Sequence, residues 1–283
     1  MESGKIRVAV CQFAESFSPR RNAAVVRRYM ATAKRRRAEL VHFHEACLTG
    51  YLARKGAPAL DEAYWRRLRE ATESICAEAR RLKLWVVLGS AHRLTRPHKP
   101  TNCLYLISPQ GRIRDRYDKR FCTGGDLRAY TPGNRPVTCT INGVKCSLLI
   151  CFDLRFPELY RQLKGLGVQA VFQSFHNGYT DGPGIHNKIM RQTVQAHAGI
   201  NCFWISANNS SGYYSRWPSI LIRPDGSIAA SLRQNRAGIM VETVDTTQDF
   251  YDASRDFRAA AMRGILHSGR LISDPRQKDH TSL

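Results

Sequence analysis

Lys145-Cys146-Ser147-Leu148-Leu149-Ile150-Cys151-Phe152-Asp153-Leu154-Arg155-Phe156-Pro157-Glu158 reads as a buried strand that stops at a cysteine and turns into a helix. Cys146, Leu148, Leu149 and Ile150 form a short, mostly apolar run ended by charged residues, which suits a strand covered on both faces. Pro157 fits the first turn of a following helix with Leu159 and Tyr160, because its missing N–H costs nothing there. A cysteine at such a corner stands at the exposed edge of a sheet, near backbone N–H groups that favour a thiolate and can cradle an oxyanion. Taken alone, Cys151 reads as one more small buried hydrophobe, the usual fate of a free cysteine.

Two other strand exits change that balance. Leu40-Val41-His42-Phe43-His44 runs into Glu45-Ala46-Cys47-Leu48-Thr49-Gly50-Tyr51, so a carboxylate stands where a strand gives way to a loop. Ile113 to Tyr117 runs into Asp118-Lys119-Arg120-Phe121, which puts a lysine in a similar place. Glu45, Lys119 and Cys151 at three exits are expected to converge on one edge of an α/β sheet, where sites form. Each has a plainer reading, Glu45 as a solvated strand end and Lys119 as one charge among many.

Together these segments resemble the nitrilase (carbon-nitrogen hydrolase) superfamily, in its amidase-like branch. The family's Glu-Lys-Cys triad matches Glu45, Lys119 and Cys151 in order and separation, and the similarity runs from the first strand to at least Val244. Cys-Phe-Asp-Leu-Arg-Phe-Pro-Glu is its most specific piece. The resemblance implies an α/β fold, a four-layer αββα sandwich with two sheets face to face and helices outside. It also implies a homodimer or higher oligomer, and no cofactor or metal.

The chemistry implied is hydrolysis of a non-peptide carbon-nitrogen bond in a small amide or N-carbamoyl amine. Cys151 attacks, Glu45 is general base, and Lys119 with the backbone N–H of Phe152 stabilises the oxyanion. Many members carry a second glutamate before the Pro-Gly that corresponds here to Pro132-Gly133. This chain has Asp126 instead, one methylene shorter, and the competing reading is an ordinary Gly-Asp turn. Tyr51, His176, Asn177 and Trp217 are candidate substrate contacts. The plainer readings are a simple chain reversal for His176-Asn177 and a place in the core or an interface for Trp217. Asp153, Arg155 and Glu158 read as structural, with Arg155 pairing a carboxylate to hold the turn. A nitrilase or acyltransferase using the same triad remains a rival.

Composition sets outer limits. The chain has 283 residues, 43% of them hydrophobic, enough for a substantial core in one α/β unit. No apolar stretch is long enough to span a membrane, and Met1-Glu2-Ser3-Gly4-Lys5 leads into a strand rather than a signal segment, so a cytoplasmic protein is expected. Nine scattered cysteines without a Cys-x-x-Cys pair argue against a disulfide framework or a structural zinc. The formal net charge of +21 points toward nucleic acid. The charge is dispersed over Arg20-Arg21, Arg27-Arg28, Lys34 to Arg37 and beyond, without a recognised binding motif. A basic nucleic-acid-binding or scaffold protein on the same fold is therefore the lesser alternative.

In order, strands are expected at 6–13, 40–44 and 84–91, in hairpins at 102–108 with 111–117 and 136–140 with 144–150, and again at 168–175, 202–207, 219–222, 227–231 and 238–244. Helices are expected at 22–37, using Val25, Tyr29 and Ala33, at 64–82, at 187–199 and at 250–263. The reading gives one hydrolase domain over 1–270 and an arm or tail over 271–283.

Overall fold

Burial alternates along the first strand, β1 (Lys5–Gln12): Ile6, Val8 and Val10 enter one core, while Ala9 and Cys11 enter another. A strand buried on both faces needs a layer on each side, and the rest of the chain supplies them. This computed structural model describes residues 4–281; Met1 to Ser3 of the expected lead-in, and Ser282 and Leu283 of the expected tail, lie outside the described residues.

The next strands are β2 (Leu40–Phe43), β3 (Trp85–His92), β4 (Thr101–Ile107), β5 (Ile113–Asp118), β6 (Thr138–Ile141) and β7 (Val144–Ile150). They are followed by β8 (Ala170–Phe175), β9 (Trp204–Asn209), β10 (Ile220–Ile222), β11 (Ile228–Ser231) and β12 (Gly238–Asp245). Two six-stranded sheets result, in the orders β12-β1-β2-β3-β4-β5 and β11-β10-β9-β8-β7-β6. Each has a parallel trio, β1-β2-β3 in the first and β7-β8-β9 in the second. Parallel neighbours require crossovers, and helices provide them. They are α1 (Pro19–Arg35) and α2 (Glu62–Leu82) for the first sheet, α3 (Pro157–Gly165) and α4 (Ile185–Asn201) for the second.

This is the α/β sandwich expected from the sequence. One apolar core lies between α1, α2 and the first sheet, and a larger one joins the two sheets and α3 and α4. Buried polar side chains also bridge the sheets. The His42 ring makes hydrogen bonds with the hydroxyls of Ser206 and Ser174 at 2.8 and 2.9 Å, and Asn208 Nδ2 donates to the carbonyls of Cys11 and His42. Burial and the nearby His44 push the His42 pKa down to about 3, so this ring is neutral at pH 7.

Local chemistry explains the helix limits. Ser18 accepts from the Arg21 N–H and Asp61 from the Tyr64 N–H, at the starts of α1 and α2. Pro157 opens α3 as expected. The α1 face departs from the expectation: Ala23, Val26, Met30 and Ala33 are buried, while Val25 and Tyr29 sit at its margin. Tyr29 lies there because its hydroxyl donates to the Gln12 carbonyl at 3.2 Å.

Packing divides the chain into two units, 1–251 and 252–283. Residues 252–270, assigned from sequence to the main domain, thus group with the expected tail. That second unit contains α5 (Arg255–Met262), shorter than the expected 250–263, and the single-turn α6 (Pro275–Lys278), with Arg258 held by Asp252 and Ser254.

Candidate active site

Glu45 follows β2 in a tight turn whose backbone lies directly on β3. A Cβ on Gly89 would stand 2.1 Å from the His44 carbonyl oxygen, so only glycine permits this approach. The Gly89 carbonyl then accepts the Leu48 N–H at 3.0 Å and anchors the turn. Lys119, just past β5, donates its N–H to the Asn102 carbonyl and accepts the Gly133 N–H, both at 2.8 Å. A Cβ on Gly133 would lie 2.4 Å from the Asp118 carbonyl oxygen, which explains the glycine in Pro132-Gly133.

Cys151 follows β7 with φ of 41°, a left-handed conformation unusual for a residue with a Cβ. Asp153 holds the corner in place. Its carboxylate accepts the Ile150 N–H at 2.9 Å, the Tyr117 hydroxyl at 2.7 Å and the Phe121 N–H at 2.9 Å. The cysteine corner is thereby tied to the strand that delivers Lys119. The expected Arg155 pairing is not found: Arg155 is exposed and is in no ion pair among the described residues. Asp153 does that work because three donors converge on it within the fold. Burial raises its pKa to about 6, although the backbone N–H groups of Phe121 and Ile150 and the Tyr117 hydroxyl oppose the rise.

The fully buried Lys119 ammonium lies 2.9 Å from Glu45 Oε1 and 2.9 Å from Asp126 Oδ2. Burial alone would lower the lysine pKa, but the Glu45 and Asp126 carboxylates hold it well above the ordinary value. Glu45 is held at both oxygens: Asn102 Nδ2 donates to Oε1 at 2.7 Å, and the His176 N–H to Oε2 at 2.7 Å. Asp126 accepts from the Tyr51 hydroxyl at Oδ1 and from the Thr123 N–H at Oδ2. Burial pushes the Asp126 pKa up, but Lys119 and the Tyr51 hydrogen bond bring it below the usual aspartate value. The Cys151 thiol is raised well above its ordinary pKa by burial and by the Glu45 charge, with Lys119 and the His176 backbone opposing.

Glu45 and Lys119 come from the first sheet and Cys151 from the second. The residues therefore meet between the strand exits of two sheets, not on the edge of one. Phe152 starts the turn after the cysteine, its ring edge-on to Phe156 at 5.5 Å. The Tyr51 ring stacks on His176 at 4.8 Å while its hydroxyl holds Asp126. His176 turns its Nε2 to Glu15 Oε1 at 2.7 Å. Asn177 donates its N–H to Asn209 Oδ1 and accepts the Arg216 N–H at its carbonyl, both at 2.8 Å. Trp217 is buried edge-on against Phe175 at 5.6 Å, as in its core reading.

Two contributors escaped the sequence reading. Glu15, just beyond β1, is a buried carboxylate that accepts from Ser210 Oγ at 2.7 Å as well as meeting His176. Although burial works against its charge, His176, His44 and Ser210 bring its pKa down to about 2. Its signal was a carboxylate at a strand exit, as for Glu45. Asn102 offered a weaker one, an amide within a run of apolar strand residues. Among the described residues, no cluster of His, Cys, Asp and Glu could hold a metal ion.

A cysteine at a strand-to-helix corner and a carboxylate-held lysine thus meet between two helix-flanked sheets. The sequence model of the Carbon-nitrogen hydrolase family matches residues 7–250, and the chain belongs to that family. It is 26% identical over 242 residues to an (R)-stereoselective amidase of Pseudomonas sp., covering 84% of each chain. It is 28% identical over 202 residues to a hydrolase of Mycobacterium tuberculosis, covering 68% of this chain and 67% of that one. An amidase from Nesterenkonia sp. has the same fold, with a TM-score of 0.78 at 22% identity over 94% of this chain and 98% of that one. A mutant of that amidase shows covalent addition of the acetamide moiety of fluoroacetamide at its active site cysteine, with a TM-score of 0.78 at 21% identity over 92% and 97% of the two chains.

Proposed function

We propose that the protein hydrolyses a small amide or N-carbamoyl amine through a thioester on Cys151. The observation that carries this reading is Lys119, buried between Glu45 and Asp126 at 2.9 Å from each, beside the cysteine corner. A lone ammonium would not stay charged there, since removal from water costs several kcal/mol per ion. With two carboxylates it remains a fixed cation, suited to meet a developing oxyanion.

The raised Cys151 pKa means that the resting nucleophile is a thiol. Deprotonation and attack are then coupled. Glu45 takes the Sγ proton as sulfur bonds to the substrate carbon, and the carbonyl oxygen becomes an oxyanion facing Lys119 and the Phe152 N–H. Glu45 returns that proton to the departing amine or ammonia as the C–N bond breaks. Water, deprotonated by Glu45, adds to the thioester, and the tetrahedral adduct releases the acid while the thiol recovers a proton.

Asp126 keeps Lys119 aimed in this scheme, and Tyr51 keeps Asp126 aimed. Asn177 and the margin formed by Tyr51 and His176 are our candidates for substrate contact. Amides and carbamoyl amines come before nitriles because both generate an oxyanion for Lys119. The amidase relatives support the same order. We expect the chain to act as a homodimer or higher oligomer, to be checked by sedimentation. The function is tested with a panel of aliphatic amides, N-carbamoyl amines and nitriles, following amine or ammonia release. Turnover of an amide or carbamoyl amine that disappears in Cys151→Ala, with the fold intact, is the expected result; unchanged turnover in that variant refutes the mechanism.

A further inference from the structure

The β4–β5 turn packs onto the C-terminal end of α2 so closely that a Cβ on Gly111 would lie 2.5 Å from the Cys76 carbonyl oxygen. Beside this contact opens a cleft of about 800 Å³, within the range of small-molecule sites. Arg80 and Lys83 line it from the helix end, Arg112 and Arg114 from the hairpin, and no acidic residue does. All four cations are exposed, and none is in an ion pair among the described residues. Their neighbours differ: Arg81 pairs with Glu78, Arg116 with Asp118 and Arg135 with Asp115. Carboxylates neutralise the basic residues around the cleft and leave those lining it free.

The negative end of the α2 dipole accounts for Arg80 and Lys83. It does not account for Arg112 and Arg114, which stand two residues apart on the hairpin. A second observation points the same way. Ser108, in the same lining, is fully buried and its hydroxyl has no hydrogen-bond partner among the described residues. An unpaired buried hydroxyl is costly, and an anion seated above it removes that cost.

We propose that this cleft binds a small phosphate-bearing polyanion, a polyphosphate chain or the polyphosphate of a nucleotide. Guanidinium forks match phosphate oxygens bidentately, and four cations around one cleft suit several linked phosphates better than a single carboxylate. The site is separate from the hydrolytic one. Asn102 and Lys119 lie at the opposite end of the β4–β5 hairpin, and six residues of β5 span roughly 20 Å. Part of the +21 charge thereby gains a specific use.

The test is calorimetric titration of the full chain with sodium tripolyphosphate at about 0.15 M salt, where diffuse attraction is screened. Arg112→Ser with Arg114→Ser should weaken binding by at least ~10-fold, and Ser108→Ala by roughly 10-fold, the value of one hydrogen bond to a charged group. A charge-matched control on α1, Arg20→Ser with Arg28→Ser, should stay within about 2-fold of wild type. A nucleoside triphosphate binding more tightly than tripolyphosphate assigns the site to nucleotides; equal affinity assigns it to the polyphosphate chain. No binding at millimolar tripolyphosphate overturns the proposal. So does equal weakening in the cleft and control variants, and so does a single-stranded oligonucleotide that binds where tripolyphosphate does not and ignores the cleft substitutions.

Discussion

Asp126→Asn separates a working carboxylate from a turn residue. In the native protein both carboxylate oxygens accept, Oδ1 from the Tyr51 hydroxyl and Oδ2 from Lys119 Nζ and the Thr123 N–H. An asparagine has one acceptor oxygen. Whichever way its amide turns, an NH2 group faces either the ammonium or the tyrosine hydroxyl. One charged hydrogen bond is worth about 1.5–3 kcal/mol. Lys119 keeps Glu45, so the full penalty for an abandoned buried charge does not apply. About 2 kcal/mol is the expected effect, or roughly 30-fold if all of it appears in kcat. The assay is kcat and KM on the best substrate of the panel, with urea unfolding of the same variant. The reasoning expects a fall in kcat of roughly 10- to 100-fold, little change in KM, and a cooperative unfolding transition. Wild-type kcat with wild-type stability would leave Asp126 as a turn residue, with Lys119 depending on Glu45 alone.

Further outcomes follow from the same contacts. Gly89→Ala forces a Cβ to 2.1 Å from the His44 carbonyl, so the Glu45 turn must move; a stability loss of roughly 2 kcal/mol or more, with loss of activity, is expected in urea unfolding and turnover assays. Unperturbed function there would show that the turn is not seated on β3. The pKa of buried His42 falls from the ordinary 6.5 to about 3. The unfolded chain therefore takes up this proton first, and stability declines as pH drops from 6.5 toward 3, by at most roughly 5 kcal/mol from this group. His42→Asn should flatten that part of the acid limb, and an unchanged slope between pH 6.5 and 4 would assign it to other groups. Glu15, with a pKa near 2, adds a loss that begins only below its ordinary value of 4.5.

The layered sandwich was legible because period-two strands alternate with amphipathic helices, and because Pro157 marks the start of α3. The α2 face follows from the sequence alone, since the buried Tyr64, Leu68, Ala71, Ile75, Ala79 and Leu82 keep a strict helical period. In α1 the face was displaced: Tyr29 looks apolar in a periodicity count but spends its hydroxyl at the rim. Glu45, Lys119 and Cys151 were legible because each stands at a strand exit. That they arise from different sheets was not, because packing one sheet on another leaves no local mark in sequence. Glu15, Asn102 and Asp153 act through partners 30 to more than 100 positions away, and such pairings become visible only when the chain is folded. Charge pairing was equally hidden: Arg155, expected in an ion pair, is exposed, whereas Arg116 is neutralised by Asp118 two residues on.

The most direct test of the central claim is the mass of the enzyme during turnover. Wild-type protein mixed with the best amide of the panel, quenched in acid during steady-state turnover and analysed by intact-protein mass spectrometry and peptide mapping, should show an acyl group carried on Cys151. Glu45→Gln, which lacks the base that deprotonates the thiol and later the water, and Cys151→Ala should carry none. An acyl group on any of the other eight cysteines, with Cys151 unmodified, would contradict the account.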